Sequence, residues 1–192
     1  WEKDTKLRIS LDRADLWDER AAVDLSKFNF KWVQQQVGKN EYDTVHRLGD
    51  DPYEAFPYPT KIPAGAMEFN VSSLGKIKAV SLDISNGLCT VEFLNGVLFN
   101  NYIHAINNVG YFGFENLSSD IIIPELIIPN YTGASNDAAG NSVEGQGLKR
   151  LCYAQAKVTK TKNKILYHQP TVNNQYYEVL VQWQQLPGKR YI

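Results

Sequence analysis

Two Asn-Gly pairs, Asn86-Gly87 and Asn95-Gly96, stand nine residues apart, with alternating apolar and polar residues on either side of them. Asn-Gly in that setting is the strongest short-range signal for a β-hairpin, because both residues tolerate the positive φ that a tight reversal needs. Two such turns at this spacing commit the middle of the chain to an antiparallel meander, the usual content of a sandwich.

The neighbouring text extends the pattern. Met67-Phe69-Val71, Ile77 to Ile84, Leu88 to Glu92, Val97-Phe99, Ile103-Ala105 and Val109 to Gly113 read as successive strands. Two more are expected to flank Pro124 to Ile128, and three follow at Cys152 to Thr161, Ile165 to His168 and Tyr176 to Gln184. Near the start, Leu7, Ile9 and Leu11 alternate with Lys6, Arg8, Ser10 and Asp12, the period-two pattern of a half-buried strand. Only between Ser26 and Gly49 does the period change. Ser26 can cap a helix with Phe30, Val33 and Val37 on one side, stopped by Gly38, and Asn40 can cap another with Tyr42, Val45 and His46. The expected fold is all-β: a large antiparallel β-sandwich of the super-sandwich type, with one or two short helices lying on a sheet. Apolar residues make up 43% of the chain and charged ones 21%, enough for one continuous core over residues 1–192.

Two loops differ in kind. Asp51 to Gly65 holds four prolines and three aromatics, which exclude regular structure while fixing an extended path. Gly133 to Gly147 is rich in Gly, Asn, Ser and Ala and reads as polar loop. Trp1 is not an initiator and Met67 is the only methionine, so the chain is expected to be part of a longer or processed protein.

Many chemistries lack their residues. A formal charge of -1 without a long basic run argues against nucleic acid as a partner, and the lysines from Lys157 to Lys164 alternate with β-formers as on a solvated hairpin. No stretch approaches the roughly 20 apolar residues of a membrane-spanning helix, so no membrane partner is expected. Cys89 and Cys152 are too few for a disulfide scaffold and read as buried thiols, their pairing left open. His46, His104 and His168 stand apart from one another, no nucleophile elbow is present, and neither metal-ligand spacing nor a phosphate loop occurs. Asn136-Asp137 with Gly140-Asn141 is a weak calcium pattern better read as loop, and Gly145-Gln-Gly147 lacks Walker spacing. No cofactor is expected.

What remains is Asp12-Arg13-Ala-Asp15-Leu-Trp17-Asp18-Glu19-Arg20: four carboxylates, two guanidiniums and an indole within nine residues. Aromatic faces stack on sugar C–H surfaces, while carboxylates and arginines take hydroxyls in paired hydrogen bonds. The same residues suit a structural ion-pair network at a strand end equally well. Carboxylates exposed beside arginines have lowered pKa values, whereas a general acid needs a raised one. In the proline loop, Tyr58 and Lys61 are held at low ordering cost, and the loop is expected to pack near Asp15 to Arg20. If Leu16 anchors the core, Asp15 and Trp17, two residues apart on locally extended chain, face outward together; in the alternative reading Trp17 is itself a buried core aromatic.

Three segments carry a resemblance: Ser10 to Asp18, Pro59 to Phe69, and Val80 to Val91. Together they resemble the N-terminal domain of glycoside hydrolases related to families 65 and 95, which include α-L-fucosidase-like enzymes. Ala14-Asp15-Leu16-Trp17 matches an Asp-Thr-Leu-Trp-like strand end, and Leu82-Asp83 through Phe93 a later turn-and-strand unit. The resemblance implies a sandwich placed before an (α/α)6 barrel that holds the catalytic acid and base, with sandwich loops walling the sugar pocket. It departs from the family in lacking the Gly-Asn-Gly segment before the first strand.

The function expected is therefore a non-catalytic N-terminal domain of a carbohydrate-active enzyme, with carbohydrate and a downstream catalytic domain as partners. Its setting would be periplasmic or extracellular. Asp15, Trp17, Asp18, Arg20, Tyr58 and Lys61 are the substrate-binding candidates, and none is catalytic. An autonomous carbohydrate-binding module is the alternative, with Trp32, Tyr53, Phe56, Tyr58 and Trp183 available as an aromatic platform. A purely structural interaction domain is the third reading.

Overall fold

The computed structural model describes residues 2–3, 5–20, 26–49, 51–52, 56–118, 122–132, 148–186 and 190–191. In chain order the strands are β1 (Glu2–Lys3), β2 (Lys6–Leu11), β3 (Trp17–Asp18), β4 (Thr60–Lys61), β5 (Gly65–Asn70), β6 (Ile77–Asp83), β7 (Leu88–Phe93) and β8 (Leu98–Ile103). They continue with β9 (Gly110–Glu115), β10 (Glu125–Ile127), β11 (Lys157–Lys160), β12 (Lys164–Pro170), β13 (Tyr176–Gln182), β14 (Gln185–Leu186) and β15 (Arg190–Tyr191). Helices α1 (Phe30–Gly38) and α2 (Tyr42–Gly49) lie between β3 and β4. The protein is mostly β, an antiparallel sandwich-like fold with two short helices.

Strands β14-β15-β9-β8-β7-β6 form one sheet, β1-β2-β5-β10 a second, β11-β12-β13 a third, and β3-β4 a two-stranded ribbon. The meander follows the Asn-Gly turns. Gly87 and Gly96 both have positive φ, and Asn86 and Asn95 each accept a backbone N–H two residues on. At Gly65, φ is +141°, and a Cβ would come 2.9 Å from the Ile127 carbonyl oxygen of the neighbouring strand. Only glycine fits this start of β5.

Two clusters make the interior. Leu7 of β2 and Met67 and Phe69 of β5 pack on Val91, Phe93, Phe99 and Phe114 of the large sheet. Ile62, Ala64, Tyr131, Leu148, Leu151 and Tyr153 pack on Tyr167 and Tyr177 of the third sheet, and Leu11 and Leu126 touch both clusters. Strand β6 is different. Val80 and Leu82 lie opposite Val91 and Cys89, on the core-facing side, yet each is 62% exposed.

Several expectations are corrected. Asn29, not Ser26, caps α1, accepting the Trp32 backbone N–H at 3.0 Å. Asn40 stands at φ +60 in the link between helices, and the main partner of each helix is the other, not a sheet. Val97-Phe99 and Ile103-Ala105 are not separate strands, since β8 runs unbroken to Ile103 and His104 turns the chain by accepting the Ile106 and Asn107 N–H groups. The Pro124 to Ile128 segment itself holds a strand, β10, over Glu125–Ile127, paired with β5. The proline loop holds the short strand β4. Cys152 is exposed and Cys89 half-buried, and both are free thiols. Trp1, Tyr53 and the Gly133 to Gly147 loop, with its calcium-like and glycine-lysine patterns, lie outside the described residues.

Candidate functional site

The acidic-aromatic segment leaves β2 at Leu11 and folds as a tight loop. The Leu16 N–H donates to the Arg13 carbonyl, and Ile62 and Ala64 of the proline segment donate to Leu16 and Leu11. Strand β3 then pairs with β4, Trp17 opposite Lys61 and Asp18 opposite Thr60. The two loops therefore sit side by side, as the sequence led us to expect.

Alternation along β3 splits the candidates into two groups. Leu16 packs on the second core cluster, Trp17 is 49% exposed, and Asp18 is fully buried. Outside, Arg13 forms a paired ion bridge to Asp15 at 2.6 and 2.5 Å. Lys61 joins Asp12 and donates to the Arg13 carbonyl at 2.7 Å. The Trp17 indole N–H donates to the Ala14 carbonyl at 2.9 Å, which fixes the ring while leaving its face open.

Inside, Asp18 accepts from Arg20 Nη2 at 2.6 Å and from the Tyr153 hydroxyl at 2.7 Å. The Arg20 guanidinium lies 4.0 Å from the centre of the Tyr58 ring and donates to the Leu151 carbonyl. Such a stacked, bidentate arginine is worth more than an exposed ion pair because its partners are shielded from water. This corrects the expectation that Asp18 is exposed: its oxygens are committed to the interior. Arg20 and Tyr58 belong with it, as the floor of the loop, while Asp15, Trp17 and Lys61 form the outer surface.

Protonation follows the same division. Burial pushes the Asp18 carboxyl up, but the Arg20 and Tyr153 hydrogen bonds outweigh it and hold the group below the ordinary carboxylate range. The Arg13 bridge lowers Asp15. Both stay ionised at neutral pH, the opposite of a general acid. Burial and the bond to Asp18 drive the Tyr153 phenol well above its usual range, so it acts as a fixed donor.

Sequence reasoning missed Tyr153, which lies 135 residues from Asp18 and closes the floor from the other side. No local signal marks it. The other platform candidates are scattered: Trp32 packs on Phe28, Phe56 on Tyr58, and Trp183 follows β13. Among the described residues no group of three or more His, Cys, Asp or Glu is arranged to hold a metal ion. No helix there is long and apolar enough to cross a membrane. Comparison with protein-family models, curated proteins and solved structures finds no match for the chain.

Proposed function

We propose that this chain is a non-catalytic sandwich domain of a glycoside hydrolase, similar to the N-terminal domain of enzymes related to families 65 and 95. In this reading the Asp12 to Trp17 loop walls the edge of a sugar site completed by a downstream catalytic domain, in a periplasmic or extracellular enzyme. The observation that carries it is the half-exposed Trp17 ring beside the Arg13–Asp15 pair, standing on the buried Asp18–Arg20–Tyr153 floor. A rigid base under an open aromatic face keeps the entropy cost of holding a sugar low. Carboxylate and guanidinium beside it supply an acceptor and donors for hydroxyls.

The test separates the chain from its parent. Aryl glycosides should be hydrolysed by the full-length protein and not by residues 1–192 alone. In the full-length protein Asp15→Ala should raise KM about tenfold, the equivalent of one lost charge-assisted hydrogen bond, with the melting temperature unchanged. Efficient turnover by the isolated chain, abolished by changing its own carboxylates, would overturn the reading.

A further inference from the structure

We propose that the outward face of the β11-β12-β13 sheet is a separate binding groove for a single uncharged pyranose unit. The assignment rests on the sugar-handling reading above only for its choice of ligand class. Its location and residues come from the sheet itself.

Along β12 the side chains of Ile165, Tyr167 and Gln169 are buried, Tyr167 within the second core cluster, so Leu166 and His168 point out. The register places Lys157 and Glu178 on either side of His168, and Thr159 and Leu180 on either side of Leu166. Lys157, Thr159, Leu166, His168 and Glu178 line a shallow groove of about 290 Å³. His168 Nδ1 bonds Glu178 Oε1 at 3.0 Å, and the Tyr176 ring lies 4.8 Å from the imidazole at an angle of 32°. Tyr176 is 62% exposed.

These parts complement a sugar ring. Tyr176 and Leu166 offer apolar faces to ring C–H groups. Lys157 donates, Glu178 accepts through the carboxylate oxygen that His168 leaves open, and Thr159 does either. Lys157 and Glu178 are two strand spacings apart, about 9–10 Å, the span of one pyranose with a hydrogen bond at each end. One cation and one anion leave the row without net charge, so it does not select an anionic ligand. Lys157 forms no ion pair with a described residue. An aromatic, a donor and an acceptor are thus held open on one rigid sheet.

The test is titration of isotope-labelled residues 1–192 with a panel of neutral mono- and oligosaccharides, followed by backbone amide shifts. At least one sugar should move the amides of Lys157, Thr159, Leu166, His168, Tyr176 and Glu178 saturably. Tyr176→Ala should weaken that sugar about tenfold, the loss of one stacked aromatic face, and Glu178→Gln should weaken it several-fold. Lys78→Ala, on the other sheet, serves as the unaffected control. Because Tyr176 is exposed, its truncation leaves the core intact, and the unchanged spectrum of Tyr177 and Tyr167 verifies this. The groove assignment is overturned if no sugar shifts these amides. It is equally overturned if the bound sugar is lost in Trp17→Ala and kept in Tyr176→Ala, an outcome that supports the loop instead. Silence of the isolated chain removes the groove while leaving the loop to be decided by full-length kinetics.

Discussion

The two halves of the interior are built from different chemistry. Under β2 and β5 the core is made of phenylalanines: Phe99 lies 5.2 Å from Phe69 and 4.8 Å from Phe114, ring centre to ring centre, in tilted and edge-on contacts. Under β12 and β13 it is made of tyrosines, and each buried hydroxyl has a partner. Tyr131 and Tyr177 both donate to the Pro63 carbonyl, at 3.0 and 3.1 Å, Tyr167 donates to Gln169, and Tyr153 to Asp18. A buried hydroxyl without a partner costs about 1–3 kcal/mol, so the tyrosine half tolerates only one arrangement of the segments that supply acceptors. Apart from Gln169 on β12 itself, those segments are the Asp12 to Asp18 loop and the proline loop. The dry half supplies stability, and the polar half fixes where the candidate site stands.

Removing Phe99 should have the largest effect. It is fully buried and touches three other rings, so Phe99→Ala should cost about 3–5 kcal/mol in urea unfolding. The loss should be the same at pH 4 and pH 7, since the neighbouring rings do not titrate. A loss that varied with pH would mean that the two halves are coupled and the contrast fails.

Asp18→Asn attacks the polar half. It leaves Arg20 and Tyr153 without a full acceptor, and should cost about 3 kcal/mol, the low end for a broken buried pair, because Arg20 is 27% exposed. The pH dependence gives the sign. The folded pKa of Asp18 lies below its ordinary value, so its contribution is complete above the unfolded value of about 3.9. It falls away as pH drops from there through the folded pKa. The difference in stability between the native protein and Asp18→Asn should therefore shrink on acidification below about pH 4. A difference constant from pH 7 to pH 2 would show that Asp18 is not held ionised by the fold.

Two conservative changes grade the network. Tyr153→Phe removes a hydrogen bond to a carboxylate and should cost about 1.5–3 kcal/mol. Tyr131→Phe removes one of two donors to the Pro63 carbonyl, which Tyr177 still serves, and should cost about 0.5–1.5 kcal/mol. The reverse order, measured by denaturant midpoint, would make Pro63 and not Asp18 the centre of the network.

This contrast also marks what the amino-acid order reveals. The phenylalanine half follows from alternation and turn chemistry, which are local: β2 and the meander were legible from Leu7 to Leu11 and from the two Asn-Gly pairs. The outward turn of Trp17 was one of two readings that alternation left open, and the structure decides it. The tyrosine half is assembled from positions 131, 153, 167 and 177, and hydrogen bonds between residues so far apart leave no period to read. Asp18 shows the consequence. Within its nine-residue cluster it looks like the other carboxylates, and the partner that meets it inside beside Arg20 is Tyr153, from the segment that precedes the third sheet. Cys152 was misplaced for a local reason: it has φ +54 just after a short turn, and its side chain faces out rather than into a strand's buried side.

The smallest effect on stability should come from Trp17→Ala, and this gives the sharpest separation of floor from surface. The ring is half-exposed, its one polar bond is to Ala14 in the same loop, and the residues that anchor the loop, Leu16 and Asp18, point the other way. Truncation should therefore change unfolding free energy by no more than about 0.5 kcal/mol, as for a surface substitution, where a core aromatic would cost about 3–5. In the full-length protein the same change should raise KM for the sugar substrate, because the open face is lost while its base stays in place. Both quantities must be measured on one preparation. A loss of several kcal/mol with unchanged activity per folded molecule would place Trp17 with Asp18 in the floor, and the exposed surface of the loop would lose its claim on a sugar.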